Sequence, residues 1–288
     1  MFDNIYASDS VFSLAKIIAT KFSSLPQVVA VALAGSQTAK VSDKFSDFDL
    51  YIYVQEEIPL DIRTSIAREF AEHIEINNQF WEPGDEWIAT SDGYGVDIMY
   101  RSPTWIEEQI NRILVKHQAS VGFSTCFWWN VLTSLPLYER DNWLTQLKSR
   151  ANQPYPEALM RAIVAKNYPI LRNNISSYMH QIELAVLRRD FISINHRVAA
   201  LLGSYFDIIF AINYVAHPGE KRLVEYAMKL CSKLPHNLEQ LVPNLIQTIS
   251  LPLIQQNILD CGNKLIDSLD ELLRAEGLLT KTGLLAYS

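Results

Sequence analysis

Val28-Val29-Ala30-Val31-Ala32-Leu33-Ala34-Gly35-Ser36, a polar spacer, and then Ser46-Asp47-Phe48-Asp49-Leu50-Tyr51-Ile52-Tyr53-Val54 form the stretch on which the fold turns. Each end is a short apolar run rich in β-branched and aromatic residues, the composition of a buried strand. In an extended chain, side chains alternate between faces, so Asp47 and Asp49 share one face at the mouth of the second strand. Adjacent carboxylates repel, so the pair is poorly placed for stability unless a cation lies between them. Mg²⁺ fits, because it is a hard ion that takes carboxylate oxygens together with substrate phosphates. Gly35-Ser36 supplies the other half: glycine permits close backbone approach, and free N–H groups at a helix start attract phosphate.

A third carboxylate follows in Tyr94-Gly95-Val96-Asp97-Ile98-Met99-Tyr100, where Asp97 alternates with Val96 and Ile98. Alone, Asp47 and Asp49 would be residues capping a strand. With Gly-Ser upstream and Asp97 downstream they form a pattern. Gly-Ser, a spacer of roughly ten residues, Asp-x-Asp and a later strand carboxylate resemble the nucleotidyltransferase superfamily of the DNA polymerase β type. The resemblance implies an α+β fold: an N-terminal mixed-sheet catalytic domain followed by an all-α helical bundle. It further implies one or two Mg²⁺ held by Asp47, Asp49 and Asp97, and an NTP co-substrate, with ATP expected, cradled by Gly35 and Ser36. Lys40 and Lys44 lie in the spacer, either as solvated loop lysines or within reach of the triphosphate; Lys44 is carried as a candidate phosphate contact.

The 288-residue chain is long enough for two domains with their own cores. Its formal net charge of −7 and pI near 5.4 argue against a nucleic-acid polymer as main substrate. The three cysteines (Cys126, Cys231, Cys261) are widely spaced, with neither a zinc nor a disulfide pattern, and a cytoplasmic setting is expected. No signal-like N-terminus and no membrane-spanning run is seen. P-loop, Rossmann and nucleophile-elbow motifs are missing.

Hydrophobic periodicity places helices at 10–24, 60–72 and 104–117, and strands at 28–34, 50–54, 73–80, 87–90 and 94–100. The mixed sheet is expected to end near Tyr100. Beyond an aromatic-rich helix at 123–134 and an extended 135–138, the chain turns almost wholly helical: 157–189 with an interruption near Pro169, then 191–215, 221–233, 236–248 and 251–275. The expected division is 1–122, catalytic, and 123–288, helical and substrate-binding. The whole resembles the small-molecule branch, the aminoglycoside and lincosamide nucleotidyltransferases with a DUF4037-type C-terminal region. Phe210–Tyr214 and His217–Arg222 carry that second likeness. It implies a small hydroxylated acceptor.

Lys221 and Arg222 follow a Pro-Gly turn at a helix start, where cations oppose the helix dipole, which marks them as candidate triphosphate contacts. Asn213 in an apolar helix is a satisfied amide or a ligand contact. Trp128 and Trp129 are core residues or stacking platforms, and Glu183 and Glu225 are most simply a solvated helix face. Arg189 and His196 have a spacing seen in HEPN ribonucleases, which suggests an alternative: a regulatory protein of toxin–antitoxin type that nucleotidylates or binds a protein partner. Neither the acceptor nor the oligomeric state is legible.

Overall fold

The computed structural model describes residues 9–35, 48–80, 82–91, 93–249, 255–280, 282 and 284–286. The chain divides into two compact units, Met1–Asn111 with Phe127–Gln153, and Arg112–Cys126 with Pro154–Ser288. It therefore passes between units three times. The expected boundary at 122 lies inside the short segment that the second unit borrows.

The first unit is built on a mixed six-stranded sheet. Its strands are β1 (Val28–Ala34), β2 (Phe48–Val54), β3 (Ala71–Asn78), β4 (Gly84–Ala89), β5 (Gly95–Arg101) and β6 (Leu135–Glu139), in the order β3-β4-β5-β2-β1-β6. Only β2 and β5 run parallel; the other neighbours are antiparallel. A parallel pair needs a long crossover, and α2 (Leu60–Arg68) with the β3–β4 hairpin provides it. α1 (Asp9–Ser23) and α2 cover one face. There Ile18 and Phe22 of α1, and Ile66 and Ala67 of α2, meet Leu50, Ile52, Val96, Ile98 and Trp87 in one buried cluster. Phe22 lies between Trp87 and Tyr100, with ring centroids 6.5 and 6.2 Å away.

The opposite face is partly covered. α5 (Trp143–Ala151) sets Trp143 against the buried Tyr53 at 4.9 Å, and the small Ala30 and Ala32 beside it are fully buried. α3 (Pro103–Leu114) and α4 (Cys126–Thr133) bring Trp105 and Phe127 together edge to face. Neither β6 in the sheet nor α5 was expected from sequence; the sheet does not end near Tyr100. Trp128 is core: it is 3 % exposed and its Nε1–H donates to Ala151 O at 2.8 Å.

The second unit is helical: α6 (Glu157–Arg172), α7 (Tyr178–Arg188), α8 (Phe191–Ile212), α9 (Leu223–Leu230), α10 (Leu238–Thr248) and α11 (Gln255–Ala275). Pro169 does not interrupt α6. The helix runs through it because Tyr168 and Leu171 are buried, and the break falls at 173–177, where Ser177 caps α7 by accepting from His180 N–H. Segment 112–126 is fastened to these helices by polar groups. Asn167 of α6 accepts from Gly122 N–H at 2.9 Å and donates to Ser120 O at 3.0 Å. Asp207 of α8 accepts from Ser124 N–H at 3.0 Å, Ser124 Oγ at 2.6 Å and Asn167 Nδ2 at 3.2 Å. Among the described residues, no helix is long and apolar enough to cross a membrane.

Candidate active site

Register decides which carboxylates meet. Asp49 on β2 is the partner of Asp97 on β5, and Ala34 on β1 is the partner of Asp49. Directly paired residues project to the same face, so Asp49 and Asp97 stand side by side, opposite to the cluster under α1 and α2. Both are half-buried. Two unit charges about 5 Å apart repel by about 3 kcal/mol at an effective dielectric of about 20. A pair held so close by the ladder needs a counter-charge or a proton.

Gly35 ends β1 at φ +69°, in the left-handed region that favours glycine. A Cβ placed on it would fall 1.5 Å from Asp49 Oδ2. The carboxylate therefore rests in the space a side chain would fill, and any other residue at 35 would push it out. This ties the glycine of the Gly-Ser pair to the second aspartate of Asp-x-Asp in a way that sequence spacing does not reveal.

The acidic row is longer than expected. Glu86 of β4 is the partner of Asp97, and Glu75 of β3 is the partner of Glu86. Asn78 Nδ2 donates to Glu86 Oε1 at 2.7 Å. The strand expected at 87–90 begins earlier, at Gly84, which brings Glu86 into the sheet; the alternation through Asp85-Glu86-Trp87 is its signal. Arg101, four residues beyond Asp97, was also missed. It is 5 % exposed, its Nε and Nη2 each donate to the Glu82 carboxylate at 2.8 Å, and its guanidinium lies 3.7 Å over the Tyr51 ring. Burial works against the Arg101 charge, but Glu82 and Tyr51 more than offset it and hold its pKa above the ordinary value. Burial raises the Tyr51 phenol; Arg101 pulls it down and Asp49 pushes it up again. Thus a fixed cation, an aromatic ring and the Asp49 carboxylate are electrostatically linked on one face of the sheet.

Asp47, Ser36, Lys40 and Lys44 lie outside the described residues. Asp49, Asp97 and Gly35 are brought together. Lys221 and Arg222 belong to the second unit, where both are exposed and Arg222 precedes α9 at φ 54°. Asn213 is a satisfied amide: its Nδ2 donates to Ile209 O at 2.8 Å and to Lys233 O at 2.7 Å, and its Oδ1 accepts from Lys233 N–H at 2.8 Å. His196 and Arg189 are exposed on α8 and at the end of α7. Glu183 sits 3.5 Å from His180 on the solvated side of α7.

One further pair invites a catalytic reading. Cys126 Sγ lies 3.5 Å from His217 Nδ1. Burial pushes the thiol up to about 12 and the imidazole down to about 3. Both are neutral near pH 7, so this is a packed contact and not a thiolate–imidazolium nucleophile. All three cysteines are free.

The donor set at Asp49 and Asp97 is hard oxygen on adjacent strands, which suits Mg²⁺ better than a softer metal. Among the described residues no group of three histidine, cysteine, aspartate or glutamate side chains forms a metal cage. Two protein carboxylates completed by substrate phosphates is the usual Mg²⁺ arrangement.

No family model matches the chain, and no curated protein does. Among solved structures, the chain is similar to a nucleotidyltransferase-like protein from Exiguobacterium sibiricum, with 12% identity, TM-score 0.42, and coverage of 93% of this chain and 76% of that one. It is similar also to a CCA-adding enzyme in complex with ATP, with 9% identity, TM-score 0.31, and coverage of 94% and 84%. A third is the Thermotoga maritima CCA-adding enzyme bound to tRNA, with 8% identity, TM-score 0.28, and coverage of 96% and 85%.

Proposed function

We propose that the chain is a Mg²⁺-dependent nucleotidyltransferase. It moves a nucleoside monophosphate from an NTP, with ATP the expected donor, to a hydroxyl of a small molecule and releases pyrophosphate. The observation that carries this reading is the Asp49–Asp97 register pair with Gly35 vacating the space for the Asp49 carboxylate.

Asp49 and Asp97, with Asp47, would hold the metal. When bound, it supplies charge neutralisation along the triphosphate and the leaving pyrophosphate. The chain's own groups do the rest. Gly35, with no side chain, lets the backbone come close to the phosphates, and its N–H with the Ser36 hydroxyl holds them. Asp97 accepts the proton of the attacking hydroxyl as its oxygen bonds to the α-phosphorus and the bond to the pyrophosphate oxygen breaks. Arg101, fixed by Glu82 and Tyr51, offsets the concentrated negative charge of the acidic row. Lys44 is a proposed phosphate contact. In this reading residues 1–122 carry the chemistry and 123–288 select the acceptor. The net charge of −7 favours a small acceptor over a nucleic-acid polymer.

The test is pyrophosphate release from the four NTPs with Mg²⁺ and a panel of hydroxylated small molecules, aminoglycosides included. Asp49→Asn should lower the rate on the order of 10³-fold. Its circular-dichroism spectrum should match wild type, because the isosteric change keeps the shape of a half-buried side chain. A variant turning over at the wild-type rate would remove the metal assignment.

A further inference from the structure

α8, α9 and α10 leave a cleft of about 790 Å³ in the second unit. That is within the roughly 300–1,000 Å³ typical of small-molecule sites. Its walls are apolar: Leu202 and Phe206 from α8, Val224 and Met228 from α9, and Val242 and Ile246 from α10. α9 is amphipathic by sequence, yet of its eight residues only Ala227 is buried. Met228 and Ile246 remain 43 % and 48 % exposed.

The rim gives the occupant its chemistry. Glu220, Glu225 and Glu239 stand around the apolar floor against Arg222 and Lys229. All three glutamates are exposed. Carboxylates in excess over an apolar floor favour a ligand that is cationic at one end and apolar along its body. We propose that this cleft binds an amphipathic organic amine in its protonated form. The apolar part covers Phe206, Met228 and Ile246, and the ammonium meets the glutamates. The proposal is independent of the nucleotidyl-transfer reading, since binding is measured without nucleotide or turnover.

Calorimetric titration of the full chain with octylammonium, octanol and octanoate at pH 7 tests it. Octylammonium should bind best and octanoate worst. Met228→Lys places a cation in the cleft at a half-exposed position, where folding is retained. It should weaken octylammonium about tenfold or more. The isosteric Glu225→Gln/Glu239→Gln variant should weaken octylammonium and leave octanol unchanged. Octanoate binding as tightly as octylammonium, no octylammonium binding, or an affinity indifferent to Met228→Lys would each overturn the proposal. So would sedimentation showing a wild-type dimer that Met228→Lys makes monomeric, because the cleft would then be filled by a second copy.

Discussion

Asp85 and Asp97 stand on neighbouring strands of one sheet, with Asp85 in register with Ile98 and Asp97 in register with Glu86, so they project to opposite faces. Asp85 is 1 % exposed and surrounded by donors. Arg63 Nε donates at 3.0 Å and its Nη2 also bonds the carboxylate; Tyr100 O–H donates at 2.6 Å and Asn77 N–H at 2.9 Å. Asp97 is half-buried in a row with Glu75, Glu86 and Asp49, all acids. On one face the fold has supplied a cation to its buried acid. On the other it has lined acids up. A buried carboxylate bonded to a fixed guanidinium serves stability, whereas acids gathered in register are the arrangement proposed above to hold a bound cation.

The largest expected effect breaks the first half of that comparison. Asp85→Asn leaves Arg63, itself 2 % exposed, as an uncompensated buried charge. Loss of one partner of such a pair costs about 3–5 kcal/mol. Urea unfolding should show a loss of that order, against a clearly smaller one for Asp49→Asn at a half-buried position. Equal destabilisation by both would erase the distinction between the faces.

Gly35→Ala sharpens the second half. Its methyl would occupy the place of Asp49 Oδ2, and the positive φ adds strain. To open 1.5 Å to the 3.0 Å that real Cβ atoms keep, the carboxylate must move by 1.5 Å or more, and a displacement of about 1 Å already costs about 10²-fold in rate when it falls on a catalytic group. The rate should fall while affinity at the cleft between α8, α9 and α10 stays as in wild type. An unchanged rate would show that the Asp49 position is not used in the chemistry.

What was legible in the sequence was local. Strand alternation around Val28–Val54 and Gly95–Arg101 is a property of a few consecutive residues, so β1, β2, β5 and the shared face of Asp49 and Asp97 follow from it. The pairing of Asp49 with Asp97 rather than with a neighbour is fixed by the ladder, which no single strand encodes. β6 escaped notice as a sheet strand because Leu135-Pro136-Leu137-Tyr138 is short and carries a proline that only an edge position tolerates; the structure puts it at the edge beside β1. The break expected near Pro169 falls a few residues later, at 173–177, because Pro169 is carried inside α6 between the buried Tyr168 and Leu171. The role of Asp207 is not legible in the sequence because its partners Ser124 and Asn167 are 83 and 40 residues away.

Asp207 extends the comparison to a third kind of acid, one given donors but no cation. Burial raises its pKa to about 7, against which the bonds from Ser124 and Asn167 act. The folded state therefore holds a proton that the unfolded chain, titrating near 3.8, gives up, and stability falls as pH rises from about 4 to about 7. His217, in the same unit, does the reverse. Burial lowers its pKa from 6.5 to about 3, so the unfolded chain binds the extra proton and stability rises with pH between those values. Each group alone contributes a slope of about 1.4 kcal/mol per pH unit. Between about pH 4 and 6.5 the two slopes oppose and cancel. Asp207→Asn should expose the rising slope of His217, and His217→Gln the falling slope of Asp207, in urea midpoints measured across that window. If the two variants show the same sign of slope, an acid wrapped in neutral donors is held ionised after all, and Asp207 belongs with Asp85.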